Sequence, residues 1–381
     1  MFKEVKLYSE ANLSSLKWPK SYAGSLVKEY FAKMMEEDST RFVLNGASQL
    51  FLLRIGDNIL PVTVNETEYS NSYVTSMYSF LSYAKEEMKR NSNRAINLFM
   101  TPIINGVSFW FKRSSINKIV SVNNYLLSTN IYCSLSQQDI EQIHFFLLKR
   151  FPHHSILFRS LNKKTEGMNM GKLQELSYHL LTSRSIYFFD PMRKLDQKQR
   201  WNIGQDLNLF NQEGISEVSH EEFKLEDVPR IKQLYDQLYL EKYSYYNPQF
   251  SERFFEEALK SKGVILHGIK YQKKLVAVVG YFKIGGVMTT PIVGYDASLP
   301  QSQGLYRMTI AHGIKVAKEE QCLFHLSSGV GHFKRKRGAL QEIESMAIYV
   351  KHLPLRRRMP WNFFKIILNK ISKRVLIKYK L

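Results

Sequence analysis

Polar side chains that could bind or act on a ligand follow two predicted strands within residues 290–338. Asp296 follows the first strand, and Ser327 and Ser328 follow the second. Between the two strands, a helical pattern of apolar residues at three- and four-residue spacing begins near Gly304. A strand, a crossover helix and a parallel strand close right-handedly, so both strand ends reach one edge of the sheet. Open α/β sheets bind ligands at such an edge.

Two histidines and a basic cluster surround the loop that follows the second strand. His332 precedes the basic turn, where an exposed imidazole titrating near neutral pH suits proton transfer. His325 alternates with apolar residues on the strand, which favours a buried structural histidine. Residues 334–337 are all Lys or Arg, a cluster that suits phosphate or carboxylate binding. A solvated surface is the alternative interpretation of this cluster.

The order of these residues resembles the GNAT superfamily of acyltransferases. The matching residues are Tyr295, Asp296, Pro300, Gly304 and the turn from Phe333 to Gly338. Within the superfamily, the chain is most similar to the branch of Fem-type aminoacyltransferases and CelD/BcsL-type acetyltransferases. Residues 184–204 are also similar to the link between the two halves of that branch. The resemblance covers the sequence from 180 to 350, and the first 180 residues by architecture alone.

The resemblance implies an N-acyltransferase, in which an acceptor amine attacks an acyl thioester held between the two strands. The reaction needs no covalent enzyme intermediate. It does need a proton acceptor, an oxyanion donor and groups that position the substrates. Asp296 is the first candidate for proton acceptor or for a group that orients the acceptor, and an Asx turn that caps its loop is the alternative role. His332 and Lys334 complete the predicted catalytic set, because a lysine at this position of the family contacts an anionic part of the substrate.

The donor site is predicted at the loop before the helix. Ordinary GNAT enzymes hold the pyrophosphate of coenzyme A on a glycine-rich loop at a helix N-terminus, whereas residues 300–304 contain a single glycine. Acyl-CoA and acyl carrier protein are both candidate co-substrates; no permanently bound cofactor and no metal are expected. The predicted donor-binding residues are Ser302, Gln303, Gly304 and Tyr306, and the predicted substrate-binding residues are Tyr295, Ser327, Ser328 and Arg335.

The chain is predicted to contain two copies of one domain. A hairpin at 49–54 and 59–64 leads into a helical stretch, and the pattern recurs with strands at 264–269 and 275–282. We expect an α/β fold of two tandem GNAT-like domains, each a mixed twisted sheet flanked by helices. The predicted bounds are 1–213 for the N-terminal domain, 214–350 for the acyltransferase domain and 351–381 for a C-terminal tail.

Composition and charge indicate the partners and the cellular location expected of this predicted enzyme. A formal charge of +20 on 381 residues calls for an anionic partner or surface. The first residues are charged, unlike a signal peptide, and no window holds the ~20 apolar residues of a membrane span. Cys133 and Cys322 lie in apolar surroundings without a metal-ligand motif. These features predict a cytoplasmic, bacterial-type protein, peripheral on the inner membrane face at most, whose oligomeric state stays open.

Residues 351–381 carry ten Lys or Arg and no Asp or Glu. Trp361 and apolar residues at helical spacing predict an amphipathic helix, with lysines on its flanks. One interpretation is a segment, 354–381, that is separable from the core and binds an anionic membrane surface; another is a helix docked on the body. Nucleic-acid contact is a third, which would favour aminoacyl-tRNA as donor and a peptidyl-type transfer. A non-catalytic GNAT-like module that binds membrane or nucleic acid is the remaining alternative.

Overall fold

The computed structural model describes residues 3–90 and 94–372. The strands are β1 (Val5–Tyr8), β2 (Gln49–Ile55), β3 (Asn58–Asn65), β4 (Ile119–Val122), β5 (Ser155–Leu161), β6 (His179–Phe189), β7 (Ile215–Val218), β8 (Ile265–Tyr271), β9 (Lys274–Ile284), β10 (Val287–Tyr295), β11 (Leu323–His325) and β12 (Leu340–Tyr349). The α-helices are α1 (Tyr22–Val27), α2 (Lys33–Glu37), α3 (Ser79–Arg90), α4 (Arg94–Arg113), α5 (Gln137–Arg150), α6 (Lys163–Glu175), α7 (Gln197–Leu207), α8 (Val228–Asp236), α9 (Glu252–Lys260), α10 (Leu305–Glu319), α11 (Gly331–Arg335) and α12 (Leu355–Ile366).

All of these strands belong to one mixed sheet with the order β1-β2-β3-β4-β5-β12-β6-β11-β10-β9-β8-β7. The predicted α/β fold, a mixed sheet flanked by helices, is confirmed. The two sheets that we expected are joined into one, because β12 pairs antiparallel with β5 on one side and with β6 on the other. The predicted domain boundary between residues 213 and 214 stays a prediction. Strand pairing crosses that point, because β6 lies before it in the chain and pairs with β11, which lies after it.

The two predicted hairpins are present as β2–β3 and β8–β9, both antiparallel. Strand β9 is buried on both faces, which explains its nearly continuous apolar sequence. Val278 packs into the cluster that contains Leu234 of α8, and Val279 packs into the cluster that contains Ile314 of α10. Helices α8 and α10 therefore cover opposite faces of the same strands.

Strands β10 and β11 are parallel and joined by α10, as the sequence predicted. Their pairing extends only from Val287 opposite Leu323 to Thr289 opposite His325. Beyond Thr289, β10 continues to Tyr295 with β9 alone as its partner in the described ladder. The two strands thus separate toward their carboxyl ends, and a gap opens between them.

The C-terminal tail is docked on the body over the part that is described. Trp361 is 1% exposed and Phe364 6%, and both lie in a cluster with Phe111 of α4. Asn369 accepts a hydrogen bond from the backbone N–H of Thr182 at 2.8 Å, and so extends the contact to β6. The expectation of a separable tail is therefore wrong for these residues, and the docked alternative applies. Lys373, Arg374 and Val375, which also belong to the predicted helix, lie outside the described residues.

None of the helices within 3–90 and 94–372 has both the length and the apolar character needed to cross a membrane.

Candidate active site

A cavity of about 1190 Å³ occupies the gap between β10 and β11 and continues past β6 to β5. One wall is formed by the carboxyl-terminal half of β10 and the first turn of α10, and the other by the loop after β11. The residues that line the cavity include Tyr73, Arg159, Arg184, Tyr239, Lys242, Tyr295, Asp296, Gly304, Tyr306, Ser327, Ser328, Lys334 and Glu344.

The first turn of α10 borders the cavity without a side-chain cap. Gly304 is the N-cap residue and has φ +70°, a left-handed conformation that favours glycine. A Cβ atom at this position would lie 2.6 Å from Leu209 Cδ1, so the turn cannot accommodate a larger residue without movement. The first backbone N–H groups of a helix have no acceptor within the helix, and together with the helix dipole they attract anions.

The predicted donor residues divide into two pairs. Gly304 and Tyr306 line the cavity, whereas Ser302 and Gln303 belong to the short 3-10 turn before α10 and do not line it. Burial raises the pKa of Tyr306 well above its ordinary value, so its hydroxyl stays protonated at neutral pH. Tyr306 can therefore donate a hydrogen bond or a proton into the cavity beside the helix N-terminus.

Asp296 lines the cavity, but its carboxylate is fully engaged. Oδ1 accepts hydrogen bonds from the backbone N–H of Ser298 at 3.1 Å and from its hydroxyl at 2.5 Å. Oδ2 accepts one from Arg230 Nη2 at 2.6 Å. Burial alone would raise the pKa of Asp296, but these hydrogen bonds hold it well below the ordinary range. The contacts are those of the Asx turn that the sequence left open, and they make this carboxylate a poor proton acceptor at neutral pH.

Lys334 is buried beneath the loop that follows β11 and is 2% exposed. Its Nζ donates to the carbonyl oxygen of Leu326 at 2.6 Å and to that of Ser328 at 2.7 Å. Burial, and then the positive charge of Arg184, lower the pKa of Lys334 to about 7. The carbonyl oxygen of Ser327, at 3.4 Å, is a third and longer contact. A neutral amine has two N–H groups, enough for the two short contacts, and keeps a lone pair that can accept a proton.

The rest of the predicted set lies partly at the cavity and partly away from it. Tyr295, Ser327 and Ser328 line the cavity. His332 is exposed on α11 and does not line it, nor does Arg335, whose Nη1 donates to the hydroxyl of Tyr187 at 3.0 Å.

The basic cluster of residues 334–337 is not one cationic surface. Arg337 is 6% exposed, donates from Nε to Asp206 of α7, and lies with its guanidinium 3.4 Å from the centre of the Phe333 ring. Arg307 of α10 donates to the other oxygen of the Asp206 carboxylate at 2.6 Å. Two of the four cluster residues, Lys334 and Arg337, are thus buried and hydrogen-bonded within the protein rather than exposed to solvent.

The predicted structural role of His325 agrees with its surroundings. His325 is 3% exposed, and its Nδ1 accepts a hydrogen bond from the backbone N–H of Ser327 at 3.0 Å. Burial lowers the pKa of His325 to about 3, so the ring is neutral. Its ring contacts Phe188 of the neighbouring strand, with the centroids 4.7 Å apart.

Sequence reasoning missed two arginines that reach the cavity from the central strands. Arg184 on β6 forms a bidentate ion pair with Glu344 on β12, with Nε to Oε1 at 2.9 Å and Nη2 to Oε2 at 3.1 Å. Both carboxylates that line the cavity, Glu344 and Asp296, are thus paired with an arginine. No carboxylate among the described residues is therefore free to act as base in this cavity.

Arg159 on β5 is the second missed arginine. Its Nη1 donates to the carbonyl oxygen of Val74 at 2.9 Å, and its guanidinium lies 6.0 Å from the centre of the Tyr73 ring. Within the described parts of the chain, no carboxylate forms an ion pair with Arg159. A lone charged residue after the apolar run 156–158 was the available signal. An unpaired guanidinium at a cavity wall is suited to bind an anionic group of a ligand.

The cavity is thus a candidate ligand site beside the parallel strands β10 and β11, at the N-terminus of their crossover helix. Residues 197–337 match the family profile described as an acetyltransferase (GNAT) domain. The match confirms the predicted resemblance to the GNAT superfamily over this part of the chain.

Solved structures give a weaker likeness. L-PGS from Bacillus licheniformis has 15% identity and a TM-score of 0.45, over 61% of this chain and 78% of that chain. FemX has 9% identity and a TM-score of 0.45, over 59% and 81%. A probable N-acyltransferase from Enterococcus faecalis V583 has 10% identity and a TM-score of 0.35, over 92% and 73%. These values are too low to transfer an activity. The comparison with curated proteins finds no match.

Proposed function

We propose that this chain is an N-acyltransferase that takes its acyl group from a thioester and passes it to an amine whose molecule carries an anionic group. The observation that carries the proposal is the cavity, which joins the uncapped N-terminus of α10 to the unpaired guanidinium of Arg159. From β10 to β5 there are four strand spacings, roughly 19 Å. A cavity of that length accommodates a donor at one end and an extended acceptor at the other.

The donor end is suited to a thioester with an anionic carrier. Its phosphate groups would lie at the first turn of α10, where free N–H groups and the helix dipole stabilise negative charge. Its carbonyl would lie in the gap beyond Thr289, where backbone N–H groups on the β11-facing side of β10 have no strand partner in the described ladder. Such N–H groups can stabilise the oxyanion of a tetrahedral intermediate.

The proposed reaction is direct. The acceptor nitrogen forms a bond to the acyl carbon, the carbon–sulfur bond breaks, and the nitrogen loses a proton to the neutral amine of Lys334. The leaving sulfur takes a proton from the Tyr306 hydroxyl, which regains one from solvent. Lys334 is assigned the base role because both carboxylates at the cavity are occupied by arginines and its own pKa is about 7.

A second candidate donor, aminoacyl-tRNA, is favoured by two observations. The chain carries a formal charge of +20, and residues 300–304 contain a single glycine rather than a glycine-rich pyrophosphate loop. A polyanionic carrier would use that charge for association, with strong salt dependence. The chemistry at the carbonyl would be the same attack on an ester instead of a thioester.

The test uses the full chain with labelled acetyl-CoA, acyl carrier protein and aminoacyl-tRNA in parallel, with and without a panel of amines that bear a carboxylate or a phosphate. We expect carrier release only when an amine is present, and a product whose mass is the amine plus the acyl group. Carrier release without an amine, or a stable acyl-enzyme, contradicts direct transfer. Failure of all three donors to bind or react would leave the non-catalytic binding module as the function.

A further inference from the structure

We propose that Glu217, His267 and His312 form a binding site for a divalent cation of the zinc class, separate from the cavity. One nitrogen or oxygen atom from each of the three side chains lies within 4.8 Å of the other two. None of the three residues lines the cavity described above. The site lies at the opposite end of the sheet from β1, where β7 forms the edge.

The fold brings the three residues together from separate elements. Glu217 on β7 is opposite Ile269 of β8, so His267, two residues away, shares its face of the sheet. His312 is on α10, which covers that face. The ligand residues are 50 and 45 positions apart in sequence, which is why no metal-ligand spacing is visible there.

The distances are those of ligands around one ion rather than of hydrogen bonds. Glu217 Oε2 lies 3.2 Å from His267 Nε2 and 3.8 Å from His312 Nε2. Zinc ligands at ~2.0–2.1 Å in a tetrahedron are roughly 3.3 Å from each other. His267 is 8% exposed, yet its Nε2 makes no hydrogen bond, because Glu217 Oε2 lies off the direction of a ring N–H. By contrast, His154 Nε2 and Glu66 Oε1 form an ordinary hydrogen bond of 2.7 Å.

The two imidazoles lie side by side at the proposed site. Their rings stack with centroids 3.4 Å apart and planes at 12°, so one ring must turn for both Nε2 atoms to face the same ion. Tyr281 Oη lies 2.6 Å from His312 Nδ1, the type of outer contact that orients a ligating histidine. Lys315 on the same helix brings a positive charge near both rings, which opposes a cation, whereas Glu217 brings a negative charge to the site.

Two His nitrogens and one carboxylate oxygen are the donor set of zinc sites that keep a fourth position for water. The Glu217 side chain is 41% exposed, so water and an entering ion can reach it. A bound ion would tie edge strand β7 to β8 and to α10, whose other end borders the cavity.

The experiment measures Zn²⁺ binding to the full chain after chelator treatment, by competition with a chromophoric chelator, and Co²⁺ binding by its visible spectrum. We expect one site and the intense bands of four-coordinate Co²⁺. Glu217→Gln and His267→Gln should each weaken Zn²⁺ binding by at least about 10–100-fold, the usual cost of losing only an outer contact. Tyr281→Phe should weaken it by about 10-fold.

The matched control is His153→Gln, the same change at an exposed histidine outside the site. It should leave the affinity unchanged. Glu217→Gln keeps the experiment informative if His267→Gln is unstable, because Glu217 is exposed. Zn²⁺ should also raise the melting temperature of the wild type and of His153→Gln, but not that of Glu217→Gln. Wild-type binding equal to that of Glu217→Gln, or only weak six-coordinate Co²⁺ bands, would overturn the proposal.

Discussion

The sheet contains two parallel strand–helix–strand units, β4–α5–β5 and β10–α10–β11, and their helix N-termini differ. Helix α5 has a capping box: Ser136 Oγ accepts from the N–H of Asp139 at 3.1 Å, and Asp139 Oδ2 accepts from the N–H of Ser136 at 3.0 Å. Asp139 is also paired with Lys3. Helix α10 begins at Gly304, which has no side chain to cap it. The N-terminus of α5 is thus occupied by the carboxylate of Asp139, whereas the N-terminus of α10 can accept an anionic group of a ligand.

The strand ends of the two units differ in the same way. After β4 the chain places buried Asn124 beside the strand, and its Nδ2 donates to Thr63 Oγ1 and to the Val74 carbonyl oxygen, both at 2.9 Å. After β10 the corresponding space is the cavity. In β4–α5–β5, side chains of the protein bind the backbone groups at the helix N-terminus and the strand end, so this unit is structural. In β10–α10–β11, Gly304 and the gap between the strands leave such groups accessible, so this unit is the candidate site.

Arg184 and Arg159, which reach the cavity from the central strands, give the largest expected contrast. Arg184→Met should lower the free energy of unfolding by about 3 kcal/mol, because it leaves the Glu344 carboxylate, 5% exposed, without its partner. Arg159→Met removes no ion pair and should change stability far less. Urea denaturation of both variants checks this. Equal losses would show that Arg159 has a structural role as well, and would weaken its assignment to ligand binding.

Arg159→Met should instead act on the acceptor. Loss of a charge-assisted hydrogen bond costs about 1.5–3 kcal/mol, which predicts a KM for the anionic amine higher by about 10- to 100-fold with the KM for the donor unchanged. Steady-state kinetics, with the concentration of each substrate varied in turn, measure the effects on the acceptor KM and the donor KM separately. Arg159→Lys should recover part of the affinity, since it restores charge but not the paired geometry. An unchanged acceptor KM in Arg159→Met would refute this binding role.

Gly304→Ala tests the open helix end. A left-handed backbone costs a residue with a Cβ about 1–2 kcal/mol, and here the Cβ also meets Leu209, so both stability and donor affinity should fall. Gly286→Ala is the matched control, because Gly286 has φ +78° with nothing within 4 Å of a Cβ. Thermal melts and the donor KM of the two variants separate backbone strain from the effect at the cavity. A donor KM that rises equally in both would contradict a donor site at Gly304.

Much of the fold around the cavity could be predicted from local sequence. The crossover β10–α10–β11 follows from periodicity and turn residues, and it places Tyr295, Gly304 and Ser327 on the cavity. Contacts between distant parts of the chain could not be predicted. Asp296 reads as a free strand-end carboxylate until Arg230, 66 residues away, is placed beside it.

Strand β12 shows the same limit at the level of the fold. Nothing local indicates that 340–349 inserts between β5 and β6, yet that insertion joins the sheet and brings Glu344 to Arg184. The three residues of the proposed cation site are likewise on three elements. The sequence therefore predicts the elements and the edge where they meet, while charge pairing depends on strand order.

The two strand–helix–strand units should also differ in how their stability depends on pH. The loop after β11 is held by the buried amine of Lys334, whereas the chain after β4 is held by the neutral amide of Asn124. The pKa of Lys334 is lowered from 10.5 to about 7 in the folded protein. Between pH 7 and 10 the unfolded chain holds this proton and the folded chain does not, so stability contributed by this group rises with pH, by at most about 1.4 kcal/mol per unit. Urea midpoints of wild type relative to Lys334→Met should rise over that range; a constant difference would contradict the lowered pKa.

The smallest expected effect is at the capped helix. Ser136→Ala removes the hydroxyl that accepts from the Asp139 N–H, and loss of an N-cap costs about 1 kcal/mol of unfolding free energy. Since α5 carries its own cap and Ser136 does not line the cavity, the KM values of both substrates should be unchanged. Denaturation and kinetics on the same preparation make the check, with Ser136→Asp as the control that restores a cap. A rise in donor KM in Ser136→Ala would mean that the two helix ends are coupled through the sheet, and that the closed unit contributes to the site it supports.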